Sequence, residues 1–386
     1  MYGLTVSAGA GVAAAWAYLL LGRGFYWRVR RPAFDPAGAC AAERIAAIVP
    51  ARNEADVIAQ SLTSLLTQTC AGTLHIFVVN DGSNDGTARI AAEAARKVDS
   101  AASLTIFEAT PPPPGWLGKV WALQQGIERA RATRPDFFLF TDADIVHAPG
   151  NIATLAEIAR TGAYDLVSFM VELRCATWVE KLLIPPFVYF FFRLYPPAWI
   201  ADPRRTTAGA AGGCLLVRAE SLARLGGLAG IRGAIIDDCT LAAGVKSSGG
   251  RLWLGLTNLA TSVRPYGSLA HIGRMISRTA FSQLRHSAVL LLLAIAGLTL
   301  AYLAPIALLL SPYALPRALG AVTWAVMTIS FLPMVRVYRL NLLWALTLPV
   351  AALFYMGATL HSAWKFWRGR GGEWKGRVQD PARSGT

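Results

Sequence analysis

Four long apolar stretches constrain this sequence most strongly. The first, Tyr2–Leu21, carries no charged residue, and about 20 such residues suffice for a helix to cross a bilayer. The other three lie near the C-terminus, at Ala288–Ser311, Ala318–Val335 and Leu340–His361. A composition of 54% hydrophobic and only 16% charged residues is also too apolar for an ordinary soluble protein. The sequence therefore predicts a multi-pass membrane protein.

Basic residues gather beside these stretches and account for much of the net charge of +14. They are Arg23, Arg28, Arg30 and Arg31 after the first stretch, and Lys365, Arg368, Arg370, Lys375 and Arg377 after the last. This placement is typical of cytoplasmic flanks of spans and of contact with anionic lipid, so we expect a membrane partner and no nucleic acid. Because the arginines follow the first stretch instead of preceding it, we expect an uncleaved anchor in the inner (cytoplasmic) membrane, with the following domain in the cytoplasm.

The side of the C-terminal tail poses a conflict. One N-terminal and three C-terminal spans would place the basic tail outside, against the charge rule. Either one C-terminal stretch is re-entrant or the rule fails at this end, and we favour a cytoplasmic tail. Pro305, Pro312 and Pro316 make the first of the three C-terminal stretches the one we expect to be broken.

Between the membrane parts the pattern predicts one α/β domain. We divide the chain into an anchor (1–22), a basic juxtamembrane linker (23–43), the α/β domain (44–287), a transmembrane or re-entrant region (288–363) and a basic tail (364–386). Short apolar runs indicate strands at Ile45–Val49, Leu74–Val79, Leu104–Phe107, Phe137–Phe140 and Leu166–Val171, with helical periods between the first four. This alternation predicts a largely parallel sheet that binds ligands at the carboxyl ends of its strands.

The segment Leu182–Ile200 is apolar and aromatic, but proline pairs make it a poor transmembrane span. Its Tyr, Trp and Arg residues suit the headgroup level of a bilayer. We favour a segment that touches the membrane surface, and a buried core segment is the alternative.

Polar side chains follow the first two predicted strands. VPARNEAD places Pro50, Arg52 and Glu54 at the end of the first, and NDGSNDGT places Asp81 at the end of the second. Such strand ends border one crevice, where an Asp can accept hydrogen bonds from a base or a ribose, so we expect all four residues to bind a nucleotide. The alternative is two turns with helix caps, the role that we expect for Asp85.

FFLFTDADIV places Asp142 and Asp144 two residues apart after the fourth strand, so both carboxylates can face one site. Two adjacent acids repel unless a cation intervenes, and their oxygens suit Mg²⁺ or Mn²⁺ bridging a diphosphate. Lys119, at an expected helix start, can reach a nucleotide or a phosphate, and a solvated surface lysine is the alternative.

Two later motifs complete the predicted site. Gly212 and Gly213 precede an apolar run, where they allow a sugar or an acceptor to approach the backbone or simply form a tight turn. Asp237 and Asp238 open a helix, on which neighbours diverge by about 100°, so we expect one to face the site while the other caps or pairs. We assign the inward role, that of a general base, to Asp238.

The ordered set VPARNE, NDGSNDGT, TDAD, the glycine-rich turn and IDD resembles the family 2 glycosyltransferases of GT-A fold over residues 44 to 290. The anchor, ATPPPPGWLGKVWALQQG and WRGRGGEWKGR look like the hopanoid-biosynthesis-associated glycosyltransferases, which are related to ceramide glucosyltransferases and carotenoid-acid glycosyltransferases. The resemblance implies a GT-A domain with a Rossmann-like mixed sheet, one N-terminal and about three C-terminal transmembrane helices. It also implies that Asp81 contacts the base, Asp142 the nucleotide and Asp144 the metal, with Asp238 as the base of an inverting transfer.

The implied substrates are a nucleotide sugar, expected to be UDP-linked, and a hydroxyl or carboxyl of a lipid such as a hopanoid or another polyisoprenoid or sphingoid lipid. The family often carries Q-x-x-R-W after the catalytic acid, whereas this chain has SQLRHS. Arg285 keeps the cation that can hold the diphosphate, and His286 replaces the tryptophan near the sugar and acceptor, or is a polar residue at the membrane boundary. Two alternatives stay open: hexosyl transfer to a polyprenyl phosphate, and a non-catalytic membrane scaffold that binds nucleotide or lipid.

Overall fold

The structure is a computed structural model that describes residues 2–29, 43–69, 72–371, 373–374 and 377–378. Most of the predicted juxtamembrane linker, much of the predicted tail, and Cys40 and Cys70 lie outside these residues. Of the described cysteines, Cys214 and Cys239 are buried and Cys175 is partly exposed. The described chain divides into two compact units, one of residues 43–174 and 199–265 and one of residues 2–29, 175–198 and 266–371.

The strands and helices are as follows in chain order. The strands are β1 (Arg44–Ala51), β2 (Thr73–Asn80), β3 (Ser103–Glu108), β4 (Phe137–Thr141), β5 (Ile145–His147), β6 (Leu166–Glu172), β7 (Cys214–Arg218), β8 (Leu252–Ser262), β9 (Glu373–Trp374) and β10 (Arg377–Val378). The helices are α1 (Tyr2–Ala17), α2 (Ile58–Leu66), α3 (Thr87–Ala95), α4 (Gly118–Ala130), α5 (Asn151–Thr161), α6 (Trp178–Leu194), α7 (Pro197–Ala201), α8 (Ala219–Arg224), α9 (Asp237–Ser247), α10 (Leu269–Gln283), α11 (Ala288–Leu298), α12 (Ala304–Leu309), α13 (Ala314–Val337) and α14 (Leu348–Trp367).

The first unit is built on a mixed sheet. Within the described residues, eight strands follow the order β3-β2-β1-β4-β7-β6-β8-β5. The first four are parallel, whereas β7 runs antiparallel to both of its neighbours. β1, β2 and β4 are apolar and almost fully buried, which explains why they read as continuous apolar runs. The predicted α/β class and the GT-A arrangement of a Rossmann-like mixed sheet are confirmed.

Strand β8 lies between β6 and β5 at one edge of the sheet, and its last residues reach the turn that follows β4. Its first half pairs in parallel with β6, and a bulge follows between Met170 and Glu172. Its last residues pair antiparallel with β5, so that Ser262 lies opposite Ile145. This pairing brings the residues after β8 to the TDAD turn, and it is the part of the topology that the apolar runs of the sequence do not indicate.

The second unit contains the apolar helices. Four helices of the described chain are long and apolar enough to cross a membrane: Tyr2–Gly22, Ala288–Leu309, Ala314–Val337 and Leu342–Trp367. One N-terminal and three C-terminal candidates confirm the predicted count. The second, the stretch predicted to be broken, runs from Ala288 to Leu309 as one helix with a π-helical turn at Thr299–Leu303.

The proline-rich aromatic segment folds as α6 in this second unit. A capping box begins it, in which Glu180 N donates to Thr177 Oγ1 and the Glu180 carboxylate accepts from Thr177 N. Leu183 and Phe190 are buried, and the Leu183 carbonyl accepts a hydrogen bond from the Tyr355 hydroxyl at 2.9 Å. The packing is that of a core helix of this unit, and the membrane-touching role of the segment stays a prediction.

Candidate active site

The turn between β4 and β5 presents Asp144 to the end of β8. Asp144 is 7% exposed, and its Oδ2 accepts a 2.6 Å hydrogen bond from Ser262 Oγ. Val263 N donates to the Asp144 carbonyl at 3.0 Å, because the antiparallel pairing of β5 with β8 continues to this point. The position expected to hold a metal is thus fixed through both its side chain and its backbone.

Arg264 joins Asp144 to Glu54. Its Nε lies 3.3 Å from Asp144 Oδ2, and its Nη2 donates to both Glu54 oxygens at 2.9 and 2.8 Å. Burial opposes the charge of the guanidinium, but the two carboxylates outweigh it and raise the pKa of Arg264. The sequence did not identify Arg264, which lies 120 residues from Asp144 and reaches it only through the β5–β8 pairing.

A second cluster of ion pairs surrounds Lys119, at the start of α4. Its Nζ lies 2.8 Å from Asp142 Oδ1 and 3.6 Å from Asp237 Oδ2. Burial would lower the pKa of the Lys119 ammonium, but the carboxylates of Asp142 and Asp237 raise it. Lys119 therefore stays protonated beside the two acids, which is not the environment of a solvated surface lysine.

Asp238 sits against the glycine-rich turn. Its Oδ2 accepts from Gly212 N at 2.7 Å and its Oδ1 from Cys239 N at 2.7 Å. A Cβ at Gly212 would lie 3.2 Å from Asp238 Oδ2, so the glycine allows the carboxylate to approach the backbone. Burial, together with the neighbouring charge of Asp237, raises the pKa of Asp238. A raised pKa suits a carboxylate that takes a proton during a reaction.

One cavity connects the charges around Lys119 with Asp238, and Asp144 and Arg264 do not line it. Its lining includes Pro50, Lys119, Asp142, Gly212 and both acids at the start of α9. The sequence predicted that only one of these two acids faces the site. In the structure both border the cavity, because it is lined by the first turn of the helix, although Asp237 pairs with Lys119 as expected of the second acid.

The ends of β1 and β2 meet as predicted. Arg52 Nη1 donates to the Asp81 carbonyl at 2.5 Å and lies 3.7 Å from Asp81 Oδ2. Asp81 is buried, and Arg52 Nε is buried without a hydrogen-bond partner among the described residues. Asp85 Oδ1 accepts from Thr87 N at the start of α3 and its Oδ2 from Ala55 N, although the N-cap residue of this helix is Gly86.

The remaining predicted site residues have other surroundings. Gly213 lies in the turn before β7, and its carbonyl accepts from Thr141 Oγ1 at 2.9 Å. Arg285 and His286 belong to the unit of apolar helices, where both have a positive φ at the end of α10. His286 stacks on Phe366 with ring centroids 4.1 Å apart, and Arg285 is exposed.

The carboxylate oxygens of the first unit suit a divalent ion only if a bound substrate supplies the remaining metal ligands. Among the described residues no group of three His, Cys, Asp or Glu side chains is arranged to hold a metal. A Mg²⁺ or Mn²⁺ site that uses one or two carboxylates and takes its other ligands from phosphates needs no such group. Asp144 meets that requirement, with Arg264 as its present cationic partner.

Comparison with known proteins gives a consistent result. Residues 46–226 match the model of glycosyl transferase family 2. An N-acetylglucosaminyltransferase of Rhizobium leguminosarum bv. viciae is 30% identical over 139 residues, which span 35% of this chain and 30% of that protein.

Two solved structures are also similar. The mannosyltransferase PcManGT from Pyrobaculum calidifontis, in complex with GDP-Man and Mn²⁺, superposes with a TM-score of 0.59 at 22% identity, covering 93% of this chain and 99% of that one. Glucosyl-3-phosphoglycerate synthase from Mycobacterium tuberculosis, in complex with Mn²⁺, UDP-glucose and phosphoglyceric acid, aligns over 66% of this chain and 85% of its own at 21% identity, with a TM-score of 0.41. Residues 46–226 are thus similar to glycosyl transferase family 2, and the fold is of the GT-A type.

Proposed function

We propose that the protein is a membrane-bound glycosyltransferase. It transfers a sugar from a nucleotide sugar, expected to be UDP-linked, to a hydroxyl or carboxyl of a lipid, a hopanoid or another polyisoprenoid or sphingoid lipid, with inversion at the anomeric carbon. The observation that carries this proposal is the cavity that joins Lys119 and Asp142 to Asp238, a carboxylate whose pKa is raised. The same cavity thus offers a cation for a phosphate and a base for an acceptor.

Asp238 is the proposed base. Gly212 N and Cys239 N hold its two oxygens in place, and each oxygen keeps a lone pair that can accept the acceptor proton. A fixed carboxylate with a raised pKa transfers a proton more effectively near neutral pH than an ordinary, strongly ionised one. In the proposed reaction the acceptor oxygen attacks the anomeric carbon as its proton passes to Asp238, and the nucleoside diphosphate leaves with the bond electrons.

The proposed binding site for the nucleotide sugar uses cationic side chains of the same unit and a buried N–H group of Arg52. Lys119, held by Asp142 and Asp237, is an ammonium that can turn toward a phosphate. Arg52, whose buried Nε lacks a partner among the described residues, and Asp81 are proposed to bind the nucleotide, with Pro50 and Glu54 beside them. Asp144 is proposed to hold Mg²⁺ or Mn²⁺, as the Mn²⁺ complex of the structurally similar mannosyltransferase also suggests. A bound divalent ion would supply neutralisation of the leaving diphosphate.

The lipid acceptor is proposed from the apolar helices and from the resemblance to lipid glycosyltransferases. A donor dissolved in water and an acceptor dissolved in the bilayer must meet at the membrane surface, and four candidate spans keep the chain there. Arg285 is proposed to bind the diphosphate, and His286 is proposed to lie near the acceptor.

The decisive experiment is a donor panel on the full chain in lipid. UDP-linked and GDP-linked sugars are offered with total lipid extract, and both donor hydrolysis and labelled lipid product are scored. The proposal expects a labelled lipid whose formation requires Mg²⁺ or Mn²⁺. Donor binding without any product would favour a non-catalytic scaffold, and product made only with an added polyprenyl phosphate would favour the phosphate acceptor.

A further inference from the structure

The last apolar segment, Leu342–Trp367, has the length and composition of a membrane span. Its contacts within the unit of apolar helices indicate a different role.

The two preceding spans form an antiparallel hairpin. Residues 310–313 link α12 to α13, and Gly320 lies so close to α12 that a Cβ there would be 2.7 Å from the Pro305 carbonyl oxygen. The start of α11 and the end of α13 therefore lie at the same end of the hairpin, which we call the inner end. The linker lies at the opposite end, where the ring of Tyr313 contacts Tyr2 of α1 with centroids 5.0 Å apart.

Both ends of the last apolar segment lie at the inner end. It begins just after α13, following a turn in which Leu340 N donates to the Val335 carbonyl at 3.1 Å. It finishes beside the first turn of α11, because Ala363 packs with Leu291 and Phe281 in one buried cluster. A segment that crossed the membrane would instead finish near the linker between α12 and α13.

Helix α10 runs alongside α14 in the same direction. Gly273 faces Phe354, Ser362 Oγ donates to the Ser277 carbonyl at 2.5 Å, and the ring of Phe281 contacts that of Phe366 at 5.4 Å. On its open side α10 carries two exposed arginines, Arg274 and Arg278. Charged side chains at the centre of a bilayer are costly, so α10 and the end of α14 that packs on Phe281 belong near the level of the headgroups.

One face of α14 is apolar and exposed. It consists of Val350, Leu353, Leu360, Trp364 and Trp367, which are 47% to 61% exposed and recur at helical spacing. Lys365, Arg368 and Arg370 stand beside the two tryptophans. Tryptophan with basic residues is typical of the boundary between acyl chains and anionic headgroups.

We propose that the segment Leu342–Trp367 does not cross the membrane but begins and ends at the inner end, with this apolar face in contact with lipid. The chain then crosses the membrane three times, and Arg368 and Arg370 stay on the same side as Arg23. The basic tail then lies on the cytoplasmic side, as the charge rule predicts. The stretch that does not cross the membrane is the last of the three, and not the first one, which contains the prolines.

A protease-protection experiment on the full chain tests the number of crossings. A cleavable epitope is inserted within residues 311–313, within 339–341, or after Thr386, and each variant is placed in sealed inverted vesicles. We expect cleavage at 339–341 and after Thr386, with the site at 311–313 protected until detergent is added. Protection of the site after Thr386 together with that at 311–313 would overturn the proposal.

A depth measurement tests the lipid contact. Spin labels are attached at Leu360→Cys, on the apolar face, and at Val322→Cys, an exposed position within α13 that is the matched control. Collision with oxygen and with a water-soluble nickel complex should place the label at 360 near the headgroups and the label at 322 deep in the acyl region. Equal depth would show a crossing helix, and a label at 360 that sees only water would show that lipid does not cover the face.

Discussion

At the residue scale, the acids of the site are divided between two cations. Asp144 and Glu54 share Arg264, whereas Asp142 and Asp237 share Lys119. Asp238 has no cation within ion-pair distance in the described structure and accepts backbone N–H groups instead. This difference separates the two adjacent acids of α9, because a carboxylate paired with a cation is a weaker base than one held by neutral donors.

We expect Asp238→Asn to lower turnover by about 10²- to 10⁴-fold with little change in donor affinity, and Asp237→Asn to have the smaller effect. The amide keeps the shape of the carboxylate but cannot take a proton. In the parent protein the raised pKa of Asp238 should place the acid limb of the turnover–pH profile above the ordinary aspartate value of about 3.9, with turnover rising as pH increases.

Turnover of both variants and donor binding by calorimetry check this prediction. A dead Asp237→Asn with a nearly normal Asp238→Asn would reverse the assignment. If Asp238→Asn is inactive only with hydroxyl acceptors and keeps its activity with a polyprenyl phosphate, the acceptor is the phosphate, because an anion needs no base.

Arg264 gives a prediction about the metal. We expect Arg264→Gln to destabilise the protein by about 1–3 kcal/mol, less than the roughly 3–5 kcal/mol for breaking a fully buried pair, because the guanidinium is 28% exposed. The two carboxylates then lose the guanidinium that they share, so Mn²⁺ should raise the melting temperature of the variant more than that of the parent, without donor present.

Thermal melts with and without Mn²⁺ provide the measurement. Arg44→Gln is the matched control, since it removes an exposed ion pair with Asp136 in the same unit. It should change the melting temperature only slightly and leave the shift caused by Mn²⁺ unaltered. An equal Mn²⁺ response in parent and Arg264→Gln would mean that Arg264 does not compete with a metal for Asp144 and Glu54.

At the element scale, Glu180 anchors the start of α6. Its carboxylate is fully buried and accepts from Ala176 N, Thr177 N and Tyr266 N at 2.8 to 2.9 Å. Burial raises the pKa of Glu180, but these backbone donors outweigh it, and the pKa is lowered. The side chain therefore ties the first turn of α6 to the segment that leads into α10.

We expect Glu180→Gln to lower stability by about 2–3 kcal/mol at pH 7, because an amide replaces one charged acceptor with a donor. The lowered pKa means that the stabilisation is complete above the ordinary glutamate pKa of about 4.3 and is lost as pH falls toward the folded value. The difference in melting temperature between parent and variant should therefore shrink below about pH 4. Glu157→Gln, on the surface of α5, is the control, and a constant difference across pH would contradict the prediction.

Sequence patterns located most of the sheet but not the strands that complete the site. β1 to β4 and β6 contain the predicted apolar runs, and the apolar run after Gly213 is β7. β5 has only three residues, and β8 contains Gly255, Thr257 and Asn258 among its apolar residues, so neither gives a clear strand signal. The contact of Arg264 with Asp144 depends on the pairing of these two strands, so no local pattern could predict it.

At the scale of the whole molecule, charge and hydropathy predict an orientation in the membrane. Arg23 and Arg28 follow α1, and Arg336 and Arg339 stand at the end of α13, whereas residues 310–313 between α12 and α13 carry no charge. If the arginines mark the cytoplasmic side, then α1 and α13 both run toward the cytoplasm and α11–α12 runs away from it. The sheet unit, whose chain follows Arg28, then lies on the cytoplasmic side.

This orientation predicts which vesicles use the donor. Nucleotide sugars do not cross lipid, so sealed inverted vesicles, which expose the cytoplasmic face, should form the glycolipid without detergent, and sealed right-side-out vesicles should form it only after permeabilisation. The expected latency in the second case is at least tenfold, limited by the fraction of leaky vesicles. Asp238→Asn in both preparations provides the control for product made by other enzymes. Full activity in intact right-side-out vesicles would place the sheet unit outside, and the donor would then have to be one that is present on that side.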